Sequence, residues 1–168
     1  MNMPRDFSDN PPIRQIGFQK FRSWVIYGRS GTGKTTFAAT FPKPILYLDV
    51  KDRGTDSIAD VKGIDEWSIE EWLDFEDAYY YLLKKGKKKY KTVIIDTTTQ
   101  LEELCKYEVV SRGGKKRIDV NKMNNWGGMT RKEYGDTSAK MKEWITNYRD
   151  LPMEVVFINP ERRPRVKG

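Results

Sequence analysis

The sequence predicts an α/β fold in which helices cover both faces of a mainly parallel sheet. A β-branched and aromatic run at 23–27, which predicts a buried strand, leads into a glycine-rich stretch and then into a helix-like segment at 36–41. Three further runs, at 44–50, 92–96 and 153–159, are almost continuously apolar, which is typical of parallel strands buried on both faces. Strands that alternate with helical segments build a three-layer domain around a parallel sheet.

The glycine-rich stretch has the pattern of a phosphate-binding loop. Residues 28–35 read G-R-S-G-T-G-K-T, which matches G-x-x-x-x-G-K-[ST] and lies between a predicted strand and a predicted helix. Glycines let successive backbone N–H groups face a phosphate. We expect Lys34 to reach the β- and γ-phosphates and the Thr35 hydroxyl to bind Mg²⁺. The predicted nucleotide contacts are Gly28, Arg29, Ser30, Gly31, Thr32, Gly33, Lys34, Thr35 and Thr36. The alternative is a glycine-rich turn that contains Lys-Thr by chance.

A second motif supports the first. The apolar run at 92–95 ends in Asp96, where a carboxylate can hold Mg²⁺ directly or through water. Many buried strands end in aspartate, so the pattern is weak alone and gains weight downstream of a phosphate-binding loop. Together the two motifs predict ATP and Mg²⁺ as cofactors.

Composition excludes several kinds of chemistry. The 168 residues contain no histidine and one cysteine, Cys105, so a disulfide framework, histidine catalysis and a Cys/His metal site are excluded. No apolar run approaches the roughly 20 residues that span a bilayer, and the first residues do not resemble a signal peptide. We expect a cytoplasmic protein with no membrane partner.

Positive charge predicts a polyanionic partner. The formal net charge is +7, and basic residues cluster between 111 and 136 among glycines and aromatic side chains. Such segments suit single-stranded nucleic acid, whose bases stack on aromatic rings while Lys and Arg follow the phosphates. The predicted contacts are Arg112, Lys115, Lys116, Arg117, Trp126, Arg131, Lys132, Arg162 and Arg163. The alternative is a solvated loop whose Trp126 packs into the domain.

The remaining segments complete the expected organisation. Residues 1–20 read as an extended arm rich in proline, and 21–168 as one domain. We predict a short strand at 61–64, a capping box at 68–71 and a helix over 69–83. Residues 136–138 are expected to cap the last helix. Core side chains are predicted on the last two helices: Leu101, Leu104, Cys105, Met141, Trp144, Ile145 and Tyr148.

With these elements placed, the sequence resembles RecA-type P-loop ATPases. It is most similar to phage nucleotide-binding proteins that act as RecA-like single-strand annealing or recombination ATPases. The similar stretches are GRSGTGKTT, ILYLDVKDRGTDSIAD, YKTVIIDTTTQLEEL and MTRKEYGDTSAKMKEWITNYRDLPMEVVFIN. The resemblance implies a three-layer P-loop NTPase with a RecA-like core that is C-terminally short. It favours RecA-like over AAA+ proteins, because Asp96 is followed by Thr97 and Thr98 and not by glutamate.

The resemblance also implies catalytic roles. RecA-like proteins carry a glutamate just after the second strand, where this sequence has Lys51 or, with a shift of one residue, Asp52. We expect Asp52 to position water, with Glu102 and Glu103 as alternatives. Asn159 matches a polar residue that senses the γ-phosphate, so the expected catalytic set is Lys34, Asp52 and Asn159. A short sheet would expose an unpaired edge, which predicts a homo-oligomer.

The leading hypothesis is an ATP-binding, Mg²⁺-dependent, RecA-like ATPase that acts on single-stranded DNA in phage recombination, replication or repair. Its further partners would be phage replication or recombination proteins, and a phage-encoded protein of this kind is expected in the host cytoplasm. Two alternatives stay open: a nucleotide-binding module without turnover, and a small P-loop nucleotide kinase whose lid would be the basic stretch at 111–117.

Overall fold

A computed structural model of the protein describes residues 20–51, 54–112 and 129–161. They form one five-stranded sheet in which every strand pair is parallel. The sheet confirms the predicted α/β class with three layers. Its strands are β1 (Ser23–Gly28), β2 (Ile45–Asp49), β3 (Ile64–Ser68), β4 (Thr92–Asp96) and β5 (Glu154–Pro160), in the order β1-β5-β4-β2-β3.

Helices connect the strands and cover both faces. The described helices are α1 (Lys34–Ala38), α2 (Trp72–Tyr81), α3 (Lys87–Lys89), α4 (Thr98–Arg112) and α5 (Arg131–Arg149). A 3₁₀ turn at Gly54–Ile58 follows β2, and a π-helical turn at Leu82–Gly86 joins α2 to α3. None of the described helices has the length and apolar character that crossing a lipid bilayer requires.

Two apolar cores lie on opposite faces of the sheet. The smaller core joins alternate strand residues to α1 and to the 3₁₀ turn; it contains Ala38, Ala39, Ile45, Tyr47, Ile58, Ile94, Val156 and Ile158. The larger core joins the other strand residues to α2, α4 and α5. All five residues of β2 and of β4 are buried, because these strands have a neighbour on each side and a core on each face. The apolar runs of β2 and β4 therefore form buried parallel strands, as predicted.

The prediction that the first strand is buried is wrong. Strand β1 pairs only with β5, so in the described part of the chain it forms an edge of the sheet. Trp24 is 40%, Val25 71% and Tyr27 63% exposed. An apolar run shows that a segment forms a strand, but the number of neighbouring strands decides how much of it is covered.

The predictions between β2 and β4 are also displaced. The third strand is Ile64–Ser68 and not 61–64, and α2 begins at Trp72 and not at 69. Ser68 pairs with Asp49 of β2, so it is the last residue of a strand and not a helix cap. The helix start is capped instead by Asp74, whose carboxylate accepts from the backbone N–H groups of Glu70 and Glu71, each at 2.9 Å. Backbone pairing with β2 outweighs the local capping pattern at Ser68.

Helix α5 begins five residues before the predicted cap at 136. Its N-cap is Thr130, whose hydroxyl accepts from the backbone N–H of Glu133, while the Glu133 carboxylate accepts from the N–H of Thr130. This Thr-x-x-Glu capping box was visible in the sequence. It was missed as a helix start, because Gly135 lies in the second turn and this segment has few apolar residues. The predicted apolar face is confirmed, since Trp144 and Tyr148 are buried and Met141 and Ile145 pack against the same core.

Candidate functional site

The polar residues predicted to act together lie at one edge of the sheet, where the parallel strands end. Asp49 ends β2 and is opposite Asp96, which ends β4. Asn159 of β5 is opposite Tyr27 of β1, one residue before the glycine-rich loop. In open α/β sheets this carboxyl edge is where ligands bind. The topology therefore gathers the two sequence motifs on one surface.

Glycine is favoured in the loop at three positions, for two different reasons. Gly31 and Gly33 both have φ of 77°, in the left-handed region that side chains with a Cβ rarely adopt. Gly33 is the residue from which α1 starts. Gly28 is constrained by contact instead, because a Cβ there would lie 3.2 Å from the Thr32 hydroxyl. The loop is thus shaped by its glycines in the way that phosphate binding demands.

Two side chains of the loop donate hydrogen bonds to the same backbone carbonyl, that of Arg29. The Lys34 ammonium donates to the Arg29 carbonyl at 2.7 Å, and the Thr32 hydroxyl donates to the same oxygen at 2.8 Å. Arg29 itself pairs with Glu161, just after β5, at 3.1 Å. The hydrogen bond to the Arg29 carbonyl uses one of the three N–H donors of the Lys34 ammonium, so the others can contact phosphate oxygens.

Thr35 and Asp96 meet, as their predicted shared role requires. The Thr35 hydroxyl donates to Asp96 Oδ2 at 3.1 Å, and Asp96 is 3% exposed. The same carboxylate oxygen accepts a hydrogen bond from the Tyr47 hydroxyl. Burial, followed by the negative charge of Asp96, raises the pKa of Tyr47, so its hydroxyl stays protonated and remains a donor. Sequence reasoning missed Tyr47, whose only signal is a hydroxyl-bearing ring within an aliphatic run.

These groups fit a magnesium ion that is bound together with phosphates. Within the described ranges, no group of three or more His, Cys, Asp or Glu side chains could hold a metal. Mg²⁺ is usually held by one or two carboxylates, water and substrate phosphates. The Thr35 hydroxyl and the Asp96 carboxylate supply the oxygen groups such a site needs from the protein. A metal bound without a nucleotide would find too few ligands here.

The carboxylate that would activate water is less simply placed. Asp52 lies outside the described residues, next to Lys51, which is exposed and has φ of 56°. The alternatives Glu102 and Glu103 both pair with Lys106, at 2.8 and 2.9 Å. Asp49 is a carboxylate that sequence reasoning passed over, and the sheet brings it opposite Asp96 at 4% exposure.

Asn159 connects the strand edge to the start of α4. Its side-chain oxygen accepts from the Thr99 hydroxyl at 3.2 Å. Both residues line a groove of about 510 Å³, whose apolar walls include Tyr27 and Met141. A change in the position of Asn159 would therefore be transmitted to the first turn of α4 through this hydrogen bond.

Only part of the predicted nucleic-acid surface can be located. Lys115, Lys116, Arg117, Trp126, Arg162 and Arg163 lie outside the described residues, and the side chain of Arg112 is not described. Arg131 and Lys132 form the exposed first turn of α5.

Helices α4 and α5 run in the same direction. The Cys105 thiol contacts the Thr137 carbonyl at 3.8 Å, and Lys140 pairs with Glu108 at 3.9 Å, so the same offset of 32 residues recurs one turn later. Helix α4 starts directly after β4 at the carboxyl edge. The first turn of α5 therefore lies near the carboxyl edge of the sheet, where Asn159 also lies. Arg112, 15 residues into α4, is about 20 Å from its start, so the structure separates it from Arg131.

Comparison with known families agrees with this site. A family model described as AAA domain matches residues 20–167, which is most of the chain and includes both motifs. The chain therefore belongs to this family of P-loop nucleotide-binding domains. The description does not support the preference for RecA-like over AAA+ proteins, and similarity to phage recombination ATPases stays a prediction. A comparison with curated proteins finds no match.

Proposed function

We propose that this member of the AAA domain family binds ATP and Mg²⁺ at residues 28–36 and hydrolyses the nucleotide while it engages single-stranded DNA. The more specific role we propose is that of a RecA-like ATPase in phage recombination, replication or repair. The hydrogen bond of 3.1 Å between Thr35 and Asp96 is the observation that carries the proposal. It joins the two motifs across the fold, in the arrangement that shared binding of a metal and a phosphate needs.

The loop backbone, Lys34 and Thr35 have separate roles in this proposal. Backbone N–H groups of the loop bind phosphate oxygens, and the Lys34 ammonium contacts the β- and γ-phosphates. The Thr35 hydroxyl can turn its oxygen lone pairs to the metal while it donates its hydrogen to Asp96. Bound Mg²⁺ would neutralise charge that develops between these phosphates. The chain itself supplies the orientation of every one of these groups.

Turnover also needs a group that positions the attacking water. Asp52 remains the prediction for this role, and Asp49 becomes a second candidate because the register places it opposite Asp96. Asn159 is proposed to contact the γ-phosphate and, through its hydrogen bond with Thr99, to pass its presence to α4.

A nucleotide-binding module without turnover is the second candidate. The observation in its favour is the burial of Asp49, which at 4% exposure has little contact with water. The residue after Asp96 is Thr97, a side chain that cannot act as a carboxylate base. This candidate predicts tight ATP binding without release of phosphate.

The proposed DNA surface extends from the first turn of α5. Arg131 and Lys132 are exposed there, on the nucleotide side of the sheet, where positive side chains can follow a phosphate backbone. The other predicted DNA contacts are retained as part of the proposal. A homo-oligomer is also proposed, supported by the exposed apolar side chains of β1 and by its place at the edge of the described sheet.

The first experiment measures phosphate release from ATP with Mg²⁺, with and without single-stranded DNA, beside a Lys34→Ala variant. We expect turnover that DNA stimulates and that the variant lacks. Binding of ATP without turnover in either condition would favour the module. Phosphate transfer to a nucleoside monophosphate, unaffected by DNA, would instead favour the kinase.

A matched pair of charge variants tests the DNA surface. Lys132→Ala removes one charge from the first turn of α5, whereas Lys142→Ala removes one exposed charge about 15 Å further along the same helix. We expect Lys132→Ala to weaken binding to single-stranded DNA and to reduce the slope of log K against log[salt] by about 0.7. Equal effects of both variants would contradict a surface located at the start of α5.

A further inference from the structure

A buried tyrosine holds the carboxylate that the proposed metal site depends on. Tyr47 is the central residue of β2 and is fully buried. Its hydroxyl donates to Asp96 Oδ2, the oxygen that also accepts from Thr35 at 3.1 Å. One carboxylate oxygen thus receives two hydroxyl donors, from α1 and from β2.

The register explains how a side chain of β2 reaches the end of β4. Tyr47 pairs with Ile94, and Asp96 follows two residues later on the same face of the sheet. A tyrosine ring is long enough to extend along that face to the strand end, where the carboxylate lies. A shorter side chain at this position could not make the contact.

Packing alone does not account for the hydroxyl. The other strand residues of this core include Ile45, Ile94 and Ile158, and a phenylalanine ring would fill the same space among them. Burying a hydroxyl group costs free energy unless it is hydrogen-bonded, and here its acceptor is Asp96. The contacts that the Tyr47 oxygen makes, with the Asp96 carboxylate and with the Thr35 hydroxyl, lie at the proposed metal site.

We propose that Tyr47 is a positioning residue for the metal: it fixes the orientation of the Asp96 carboxylate before Mg²⁺ and nucleotide arrive. This inference rests on the proposed function, since it assigns a role to Tyr47 within the same site. Partners that orient metal-binding groups commonly contribute a factor of about 10 to 100 in metal affinity or activity. With Tyr47 present, the Asp96 carboxylate is already oriented, so less side-chain freedom is lost when the metal binds.

The chain contains a matched control for this hydrogen bond. The Tyr90 hydroxyl donates to Asp65 Oδ2 at 2.6 Å, so it is also a tyrosine bound to an aspartate. Tyr90 lies just before β4 and Asp65 near the start of β3. Both are therefore where the strands begin, whereas Asp96 is where β4 ends. Tyr47→Phe and Tyr90→Phe each remove one oxygen and break one Tyr–Asp hydrogen bond, but only the first lies at the proposed metal site.

The test measures binding of a fluorescent ATP analogue while Mg²⁺ is titrated, and separately in EDTA. For Tyr47→Phe we expect the Mg²⁺ midpoint to rise by about tenfold or more, with wild-type binding restored at saturating Mg²⁺ and unchanged binding in EDTA. Tyr90→Phe should keep the wild-type midpoint. Restoration by Mg²⁺ separates a positioning role from a general loss of structure.

Three outcomes would overturn the inference in distinguishable ways. A Tyr47→Phe midpoint equal to or below that of the wild-type protein would show that Tyr47 only fills the core, and would leave the proposed function intact. Equal increases in both variants would trace the effect to lost stability. Wild-type protein that binds no nucleotide would overturn the proposed function and this inference with it. Near-ultraviolet circular dichroism checks folding, and trimethylamine N-oxide can be added to keep a weakened variant folded.

Discussion

Replacing Thr35 by valine separates the two tasks of its hydroxyl group. The substitution exchanges a hydroxyl for a methyl group and keeps the branched shape at Cβ. It removes the donor that lies 3.1 Å from Asp96 Oδ2 and, at the same time, a proposed ligand of Mg²⁺. The first loss should appear in the protein alone, and the second only when nucleotide and metal are present.

The size of each effect follows from the contacts. Hydrogen bonds to charged groups contribute about 1.5–3 kcal/mol, and Tyr47 still donates to the same oxygen, so we expect the variant to lose about 1.5 kcal/mol of unfolding free energy. For the ligand effect, nucleotide at 100 times its dissociation constant adds about 2.7 kcal/mol. In a domain of this size that raises the melting temperature by roughly 5–10 °C.

The assay is urea unfolding of the free protein, followed by thermal melting with ATP in Mg²⁺ or in EDTA. Wild-type protein should be stabilised more by ATP with Mg²⁺ than by ATP in EDTA, whereas Thr35→Val should show the same small shift in both. Thr40→Val is the control, since the Thr40 hydroxyl donates at 2.7 Å to the neutral carbonyl of Phe37, beyond the end of α1. A Thr35→Val protein that keeps the Mg²⁺-dependent shift would refute the assignment of Thr35 as a metal ligand.

Three further predictions concern residues outside the metal site or in the loop backbone. Burial raises the pKa of the Cys105 thiol to about 12, so at pH 8 the native protein should react with a disulfide reagent far more slowly than the unfolded one. Tyr148→Phe should cost about 1 kcal/mol in urea unfolding, because the buried hydroxyl donates to the Phe75 carbonyl at 2.7 Å. Gly33→Ala should lower the free energy of unfolding by about 1–2 kcal/mol, because φ is 77°. A Cβ there would meet no atom within 4 Å, so this loss comes from backbone conformation alone.

Each of these predictions has its own control. For Cys105, rapid labelling of native protein under conditions that keep it folded would contradict the burial. Tyr80 is about half exposed, so Tyr80→Phe should leave stability unchanged, and equal losses at Tyr80 and Tyr148 would argue against the hydrogen bond. Gly54 also meets no atom within 4 Å but lacks a positive φ. A Gly54→Ala loss as large as that of Gly33→Ala would contradict the argument from backbone conformation.

The sequence predicted best those features whose physical cause lies within a few adjacent residues. Gly31 and Gly33 adopt a φ that favours glycine, and the order of loop, Lys34 and Thr35 is local in the chain. The runs ending at Asp49 and Asp96 were also predicted well, since strands buried on both faces need nearly continuous apolar residues. Weaker patterns failed where pairing competed with them, as at Ser68, or where one glycine obscured a capping box, as at Gly135.

By itself, the sequence determined the class of fold, the phosphate-binding loop and the pairing of that loop with Asp96 as a shared site. The tertiary structure decided that β1 lies at an edge, that α4 and α5 run in parallel, and that Asp49 and Tyr47 flank Asp96. Those features depend on the order in which strands pair, and this order is set by contacts between segments far apart in the chain. A hydroxyl group 49 residues before Asp96 has no local signature, because its partner is chosen only when β2 and β4 become neighbours.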